Sequence, residues 1–447
     1  MPYGPAPVRT PRRTAVRLPR RWRTPLSETS ATPTRPRVSG PLLVVLALLS
    51  AVAPFATDMY LPSFTELAAD LHTGASSVQL TLTTFLIGLA AGQLVIGPLS
   101  DRYGRRGPLL VATAAVTVAG ALCALAPNIW MLVVMRFVQG FAGSAGIVIG
   151  RAVAADRTSG PAAAKVFALL ASIASIGGIA PVVAPLAGGA LAGTAGWRGV
   201  FWVLTGISAL MLFGSLFVVP ESLPKAQRHA GGLAETGRVM RRLFADRSYV
   251  GHTFAFALGF AGLMGYISAS PFVVENVLGL STTAYTLDFA VNACGMVISG
   301  LVNSCLVGRF SPDVLLRAGQ AAALFFSALL LALLAAGLPA VAVLPALFGL
   351  ACSLTFVLGN ASALAVGRAP YAAGTAAAVM GALQFGLGAV VSPLVGLGGE
   401  HTGLPMGVTL LTAALLGIGA RLLTRGAAPV AAPDSEAALA EHTAVRG

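Results

Sequence analysis

Apolar residues in this chain come in blocks of about twenty, and nearly all the charges fall between the blocks. A bilayer core about 30 Å thick is crossed by about 20 helical residues. The pattern therefore predicts spans near 41–61, 78–99, 108–126, 129–150, 165–186 and 198–219, then near 250–272, 285–307, 314–337, 340–360, 371–397 and 404–423. Between the two sets lies 220–249, with Lys225, Arg228, Arg238, Arg241, Arg242 and Arg247. The expected fold is an all-α polytopic membrane protein, twelve transmembrane helices in two six-helix halves. In order these are a tail over 1–39, a first half over 40–219, a cytoplasmic linker over 220–249, a second half over 250–424 and a tail over 425–447.

Composition agrees. With 56% apolar and 10% charged residues and a mean hydropathy of +0.82, 447 residues carry too little polar surface for soluble domains of that size. The net charge of +13 does not imply a nucleic-acid partner, because Arg9, Arg12, Arg13, Arg17, Arg20, Arg21, Arg23, Arg35 and Arg37 all precede the first span. That Pro/Arg/Thr-rich segment reads as a disordered basic arm for an anionic lipid surface. Starting with the N-terminus inside, all but Arg136 and Arg198 of the 29 Lys+Arg fall in cytoplasmic segments. Both termini are therefore expected in the cytoplasm, and the protein in the cell membrane. Cys123, Cys294, Cys305 and Cys352 sit in apolar runs without metal-ligand spacing and are expected to be small core residues. The five histidines lie in loops, in the tail or at a span edge, with no paired acid, which argues against an intramembrane enzyme and against a metal site.

One short stretch concentrates charge and glycine: Gly97-Pro98-Leu99-Ser100-Asp101-Arg102-Tyr103-Gly104-Arg105-Arg106. Its spacing, Gly-x-Leu-x-Asp-Arg-x-Gly-Arg-Arg, closely resembles the loop between the second and third helices of major facilitator superfamily transporters. A weak echo, Gly308-Arg309-Phe310-Ser311-Pro312-Asp313, follows the eighth span, as repeated halves would require. The resemblance implies a cytoplasmic gate formed by Gly97, Asp101, Arg102, Gly104, Arg105 and Arg106. Asp101 would face the N-terminus of the eleventh helix near Gly374, and the arginines would pair with acids such as Asp156.

Within the spans, Arg136 is the one cation well inside, at a cost of at least about 2.5 kcal/mol if left in hydrocarbon. It must face an aqueous cavity or an acid. Gln139 is one turn on and shares its face. By rise per residue, Asp58 lies about 25 Å up the first span and Arg136 about 10 Å below the outer surface, so the two could meet. The run Arg136-Phe137-Val138-Gln139-Gly140 resembles the fourth-helix signature of proton-coupled facilitators, which implies a role for the arginine in proton transfer or in holding an acidic partner. Asp58, Arg136 and Asp288 are the proton-coupling candidates. Asp288 lies near the outer start of the eighth span, four residues before Asn292.

The fifth span should bend, because Pro181 and Pro185 each remove a backbone hydrogen bond. Its small residues, Gly177, Gly188 and Gly189 among them, should pack closely. The span resembles the antiporter signature of drug exporters, with Ala184 where glycine is usual. Thr57-Asp58-Met59-Tyr60-Leu61-Pro62, Trp197-Arg198-Gly199, Pro220-Glu221-Ser222-Leu223 and Phe289-Ala290-Val291-Asn292 look like the Bcr/CflA-type multidrug-resistance branch, in which Asp288 falls where a neutral or aromatic residue is expected.

The implied activity is proton-coupled antiport of amphipathic drugs, such as phenicol- or bicyclomycin-like antibiotics, by alternating access. Tyr60, Phe85, Gln139, Tyr266, Asn292, Asn360 and Gln384 would line the cavity. A proton-coupled transporter of a small metabolite on the same fold is the alternative. No Gly-rich loop followed by Lys-Ser/Thr is present, so protons rather than ATP should drive it, with no cofactor. The expected partners are drug, protons and lipid, and the expected state is a monomer.

Overall fold

In the computed structural model, residues 39–158, 180–225, 228, 233–369, 373–397, 399 and 401–424 are described. All of them belong to one unit, Arg37–Gly447. Among the described residues, eleven segments are long and apolar enough to cross a bilayer. The fifth expected span, 165–186, lies outside the described residues up to 179, and Gly177 with it; of Pro181 only the helical backbone is described.

The first span is helix α1 (Gly40–Asp58), a short 3₁₀ turn (Leu61–Ser63) and helix α2 (Phe64–Asp70). Pro62 has no N–H to continue the α-helical ladder, so the break falls just after Asp58. Helices α3 (Ala75–Tyr103), α4 (Arg106–Ala124) and α5 (Ile129–Arg157) follow. The expected spans end several residues short of α3 and α5, because polar residues extend both helices beyond the hydrocarbon. Helix α6 runs Ala180–Val218 through a break at Gly196 (φ 65°, ψ −176°). There a glycine takes a left-handed φ, dividing the end of the fifth span from the sixth.

The interval expected to be only a linker contains an amphipathic helix, α7 (Leu233–Ala245). Arg238, Arg241 and Arg242 are exposed while Leu243 is buried. The second half comprises α8 (Arg247–Phe272), continued by a π turn (Val273–Val277), then α9 (Thr282–Val307), α10 (Pro312–Ala335), α11 (Ala340–Gly367), α12 (Ala373–Leu394) and α13 (Leu404–Leu422). Among the described spans, the one made by α8 and its π turn is the most deeply buried, which puts its residues deep inside the bundle.

Buried apolar side chains from α1, α3, α6, α8 and α9 form one continuous core across the two halves. At the end carrying Glu66 and Glu275, hydrogen bonds tie the halves: Thr65 Oγ1 donates to Glu275 Oε2 (2.8 Å), Ser76 Oγ to the Gly396 carbonyl (2.8 Å) and Gln79 Nε2 to the Ser268 carbonyl (3.2 Å). Farther along the α3–α12 seam, a Cβ on Gly381 would lie 2.1 Å from Gln93 Oε1. Cys123 is buried as expected, but Cys294 and Cys305 are exposed. In a membrane bundle an apolar run covers the lipid face as well as the core, so apolar context alone did not place them.

Candidate functional site

Two clusters carry the charged chemistry, one at the end of the bundle bearing Asp101 and one in its interior. At the Asp101 end, Gly104 caps α3 with φ +95°, a conformation that favours glycine. A Cβ there would also lie 2.4 Å from Glu221 Oε2 and 2.6 Å from Arg228 Nη2. The turn thus brings the backbone onto Glu221. That carboxylate accepts from the backbone N–H of Arg105 (2.8 Å), Leu223 (3.1 Å) and Arg106 (3.4 Å), and from Arg228 Nη2 (3.4 Å). Partial burial pushes the Glu221 carboxyl up, but the three backbone donors and Arg228 outweigh it and hold the group below its ordinary value.

Arg105 is the second hub. It reaches Ser100 Oγ (2.8 Å) and Asp156 Oδ2 (3.3 Å) and pairs with Asp101. Ser222 Oγ donates to the same Asp156 oxygen (2.7 Å). Arg106 Nη2 donates to the Leu216 carbonyl (2.8 Å), and Arg102 lies over the exposed Tyr103 ring. The expected pairing with Asp156 is therefore made by Arg105, not by Arg102 or Arg106. Nor, among the described residues, is any contact of Asp101 with the eleventh helix seen. Its side chain is 53% exposed and is taken up by Arg105 one turn on, and nothing lies within 4 Å of where a Gly374 Cβ would be. The i,i+4 spacing on one helix face satisfies the acid locally. Gly97 faces Val148 on α5. In the second half, Asp246 caps α8 through the N–H groups of Ser248 (2.8 Å) and Tyr249 (3.3 Å), and pairs with Arg368 (3.2 Å). Partial burial raises its carboxyl, but Arg368 and these backbone donors outweigh burial and leave it below its ordinary value.

In the interior, Arg136 is fully buried (0% exposed). Its Nη1 donates to Gln139 Oε1 (2.8 Å) and its Nη2 to the Ala56 carbonyl (2.9 Å). That carbonyl belongs to the last turn of α1, where no helical N–H remains to satisfy it. The guanidinium packs on three rings, with centroids at 4.2 Å for Phe85, 4.5 Å for Tyr60 and 5.8 Å for Phe201. The close approach of α3 to α5 permits this cage: a Cβ on Gly140 would lie 2.1 Å from the Phe85 carbonyl oxygen, and one on Gly88 2.3 Å from that of Phe137.

Asp58 is 5% exposed and lies two residues beyond the carbonyl that Arg136 holds, with Thr57 Oγ1 2.9 Å from its Oδ1. Arg136 and Asp58 share the end of α1 but are not ion-paired. The expected meeting of the two side chains is not made: a carbonyl and three aromatic faces take the place of the carboxylate beside Arg136. Thr57 was missed, although a hydroxyl beside a buried acid is a visible signal.

Across the half boundary, Asn292 Nδ2 donates to Tyr266 Oη (2.9 Å) and to Asp288 Oδ2 (3.0 Å). The Tyr266 ring stacks on Phe289 at 5.9 Å and 11°. Of the expected cavity residues, Tyr60, Phe85, Gln139, Tyr266 and Asn292 are buried at this centre. Gln384 is half-buried on α12. Asn360 departs from expectation: its Nδ2 is spent on Asn303 Oδ1 (2.7 Å) and the Phe356 carbonyl (2.9 Å), which fastens α11 to α9. In the fifth span, Pro185 and Gly188 are buried. A Cβ on Gly188 would lie 1.8 Å from the Met59 carbonyl oxygen, and one on Gly189 2.4 Å from Thr286 Oγ1. The pair thus presses α6 onto both halves beside Asp58. Among the described residues, no group of three or more His, Cys, Asp or Glu could hold a metal.

Comparison with known proteins accords with this arrangement. The Major Facilitator Superfamily matches residues 46–393. "Uncharacterized MFS-type transporter YdgK" of Bacillus subtilis is 37% identical over 382 residues, 84% of this chain and 93% of that one. The "Bicyclomycin resistance protein homolog" of Haemophilus influenzae is 32% identical over 375 residues, 82% of this chain and 92% of that one. Among solved structures, a bacterial homologue of the lysosomal transporter Spinster (15% identity, TM-score 0.69, 90% of this chain and 100% of that one) and a D-xylose-proton symporter (17% identity, TM-score 0.69, 87% and 99%) share the fold. The chain belongs to the major facilitator superfamily, a family of transporters and not enzymes, and its relatives place it with the Bcr/CflA-type branch.

Proposed function

We propose that this member of the superfamily exports amphipathic drugs, phenicol- or bicyclomycin-like antibiotics among them, in exchange for protons. The observation that carries the reading is the shared helix end: Arg136 grips the carbonyl of Ala56, and Asp58 hangs two residues farther on, both buried. The charge state of a carboxylate this dry depends on what stands beside it. A proton arriving at or leaving Asp58 changes the electrostatics of the helix end that Arg136 holds, and a drug entering the aromatic cage displaces the same contacts. Drug and proton then compete for one structural element, which is what exchange requires.

The Asp101 end lies in the cytoplasm on this reading, with both termini, because the cations concentrate there. Glu221, Arg105 and Asp156 hold the turn between α3 and α4 to the rest of the first half, so that half moves as a body while the gate opens. The relative from Haemophilus influenzae, named for bicyclomycin resistance, supports the substrate class.

The test is accumulation of a panel of antibiotics, including chloramphenicol and bicyclomycin, in cells with and without the protein, repeated with a protonophore. Lower accumulation that the protonophore abolishes is expected, with loss of the effect in Asp58→Asn. Unchanged drug levels with a metabolite response would favour the metabolite transporter instead, and normal proton-driven export by Asp58→Asn would remove Asp58 from the coupling.

A further inference from the structure

We propose that helix α7 binds anionic phospholipid headgroups at the bilayer surface, with Arg238, Arg241 and Arg242 on the phosphates and Phe244 set into the acyl boundary beside them. Lipid binding here does not depend on what the protein exports.

Gly396 lies beside Gln79 and Gly381 beside Gln93, so α12 runs antiparallel to α3 and begins at the Asp101 end. Helix α7 packs there. Its Leu243 and Val239 rest on Tyr249 of α8, on Ala365 near the end of α11, and on Ala376 and Met380 in the first turns of α12. Tyr249 Oη donates to the Ala376 carbonyl (2.9 Å), which ties this platform together. One residue, Asp246, separates α7 from α8, a helix long and apolar enough to span the bilayer. The last turn of α7 is therefore held near the bilayer surface and not out in the solvent.

The helix surface divides into three sectors. Val239 and Leu243, four apart, take the protein face; Phe244 and Arg241, three apart, share the edge beside it; Arg238 and Arg242, four apart, lie beyond. Phe244 is 49% exposed, while its neighbour Leu243 is 1% exposed. An aromatic ring left out of the core next to guanidinium groups is the arrangement of a helix lying in a membrane interface. Arg238, Arg241 and Arg242, with Arg247 at the start of α8, are all exposed, and among the described residues none of the four forms an ion pair. Helix α7 has one acid, Glu235, against three arginines, and the adjoining Asp246 is spent on Arg368 and on capping α8. The surplus positive charge calls for an anion, and the exposed ring calls for one attached to hydrocarbon. A phospholipid is both: its phosphate accepts paired N–H bonds from a guanidinium while its acyl chains receive the ring. Because Ala376 and Met380 lie under the helix, lipid held there braces the start of α12.

The test is thermal unfolding of the purified full-length protein in detergent with added phosphatidylglycerol, zwitterionic phosphatidylcholine or inorganic phosphate. Phosphatidylglycerol should raise the wild-type midpoint by several degrees, and the other two should leave it near its starting value. The triple variant Arg238→Gln, Arg241→Gln, Arg242→Gln should need at least about tenfold more phosphatidylglycerol for the same rise. Both proteins keep the nine arginines that precede the first span, so the comparison isolates α7. In nanodiscs, phosphatidylglycerol brominated on its acyl chains should quench the indole introduced by Phe244→Trp, read as the difference from wild type; this measurement removes no charge and decides the matter if the triple variant does not fold. No rise in wild type, an equal rise in the triple variant, an equal rise with phosphatidylcholine or phosphate, or an unquenched indole would each overturn the assignment. Neither readout involves a drug or a proton gradient, so failure here stays distinct from failure of the export reading.

Discussion

Gly140→Ala should loosen the seam between α3 and α5 and disturb the cage around Arg136. The added Cβ would lie 2.1 Å from the Phe85 carbonyl oxygen, 2.9 Å from its carbon and 3.1 Å from its Cα. Ordinary contact begins near 3.4 Å, so the helices must part by about 1 Å, and backbone cannot swing aside as a flexible side chain would. Overpacking of this kind costs about 1–3 kcal/mol. The shift would also carry the Phe85 ring away from the guanidinium it now meets at 4.2 Å. Gly143→Ala is the control on the same helix, because its Cβ would find only Val116 Cγ2, at 4.0 Å. Thermal unfolding of the purified proteins in detergent should show a midpoint several degrees lower for Gly140→Ala and near wild type for Gly143→Ala. Drug transport driven by a pH gradient should fall only in the first. Equal behaviour of the two variants would refute the claim that close backbone approach positions the arginine.

Three more expectations follow from the charged clusters. Glu221 is held below its ordinary value of 4.5, so its stabilising contribution is present above that pH and is lost as the pH falls through and below it; wild type should lose thermal stability over that range more steeply than Glu221→Gln, and parallel curves would refute this. Arg136→Lys cannot reach Gln139 and Ala56 together while lying flat on three rings; transport should drop at least tenfold with helical content unchanged by circular dichroism, and wild-type transport would contradict the role of the fork. Asp101→Asn removes one of the two acids paired with Arg105 at the proposed gate; transport should fall while drug binding stays measurable, and lost binding with intact transport would contradict the gate.

The helices were legible because hydrocarbon length and charge exclusion act on blocks of sequence, and eleven such blocks recur among the described residues. The turn at Gly104 was legible too, since its glycine and arginines fall at fixed offsets. The partners were harder. Glu221 sits 117 positions from Gly104, and nothing local marks it as the acceptor of three backbone N–H groups. The acid of the gate found Arg105 on its own helix, a competition between near and far partners that spacing alone does not decide. In the interior, counting residues put Asp58 and Arg136 at neighbouring depths in the outer part of the bilayer, whereas the last-turn carbonyl that Arg136 holds is invisible without the helix end. Helix α7 stayed hidden because its basic residues read as linker until Leu243 is seen buried.

Gly188 and Gly189 set α6 against the carbonyl of Met59 on one side and against Thr286 on the other. The second contact joins the halves, and one this tight would act as a fulcrum: a rotation of one half about it would displace its own neighbourhood least. Helix α3, 29 residues long and so about 43 Å at 1.5 Å per residue, would work as the lever arm, and a tilt of about 10° would sweep its far end through roughly 7 Å. On the proposed export reading, Asp58 would then sit almost still while the distant turn travelled, and its proton would be exchanged at a fixed point as the doorway swings.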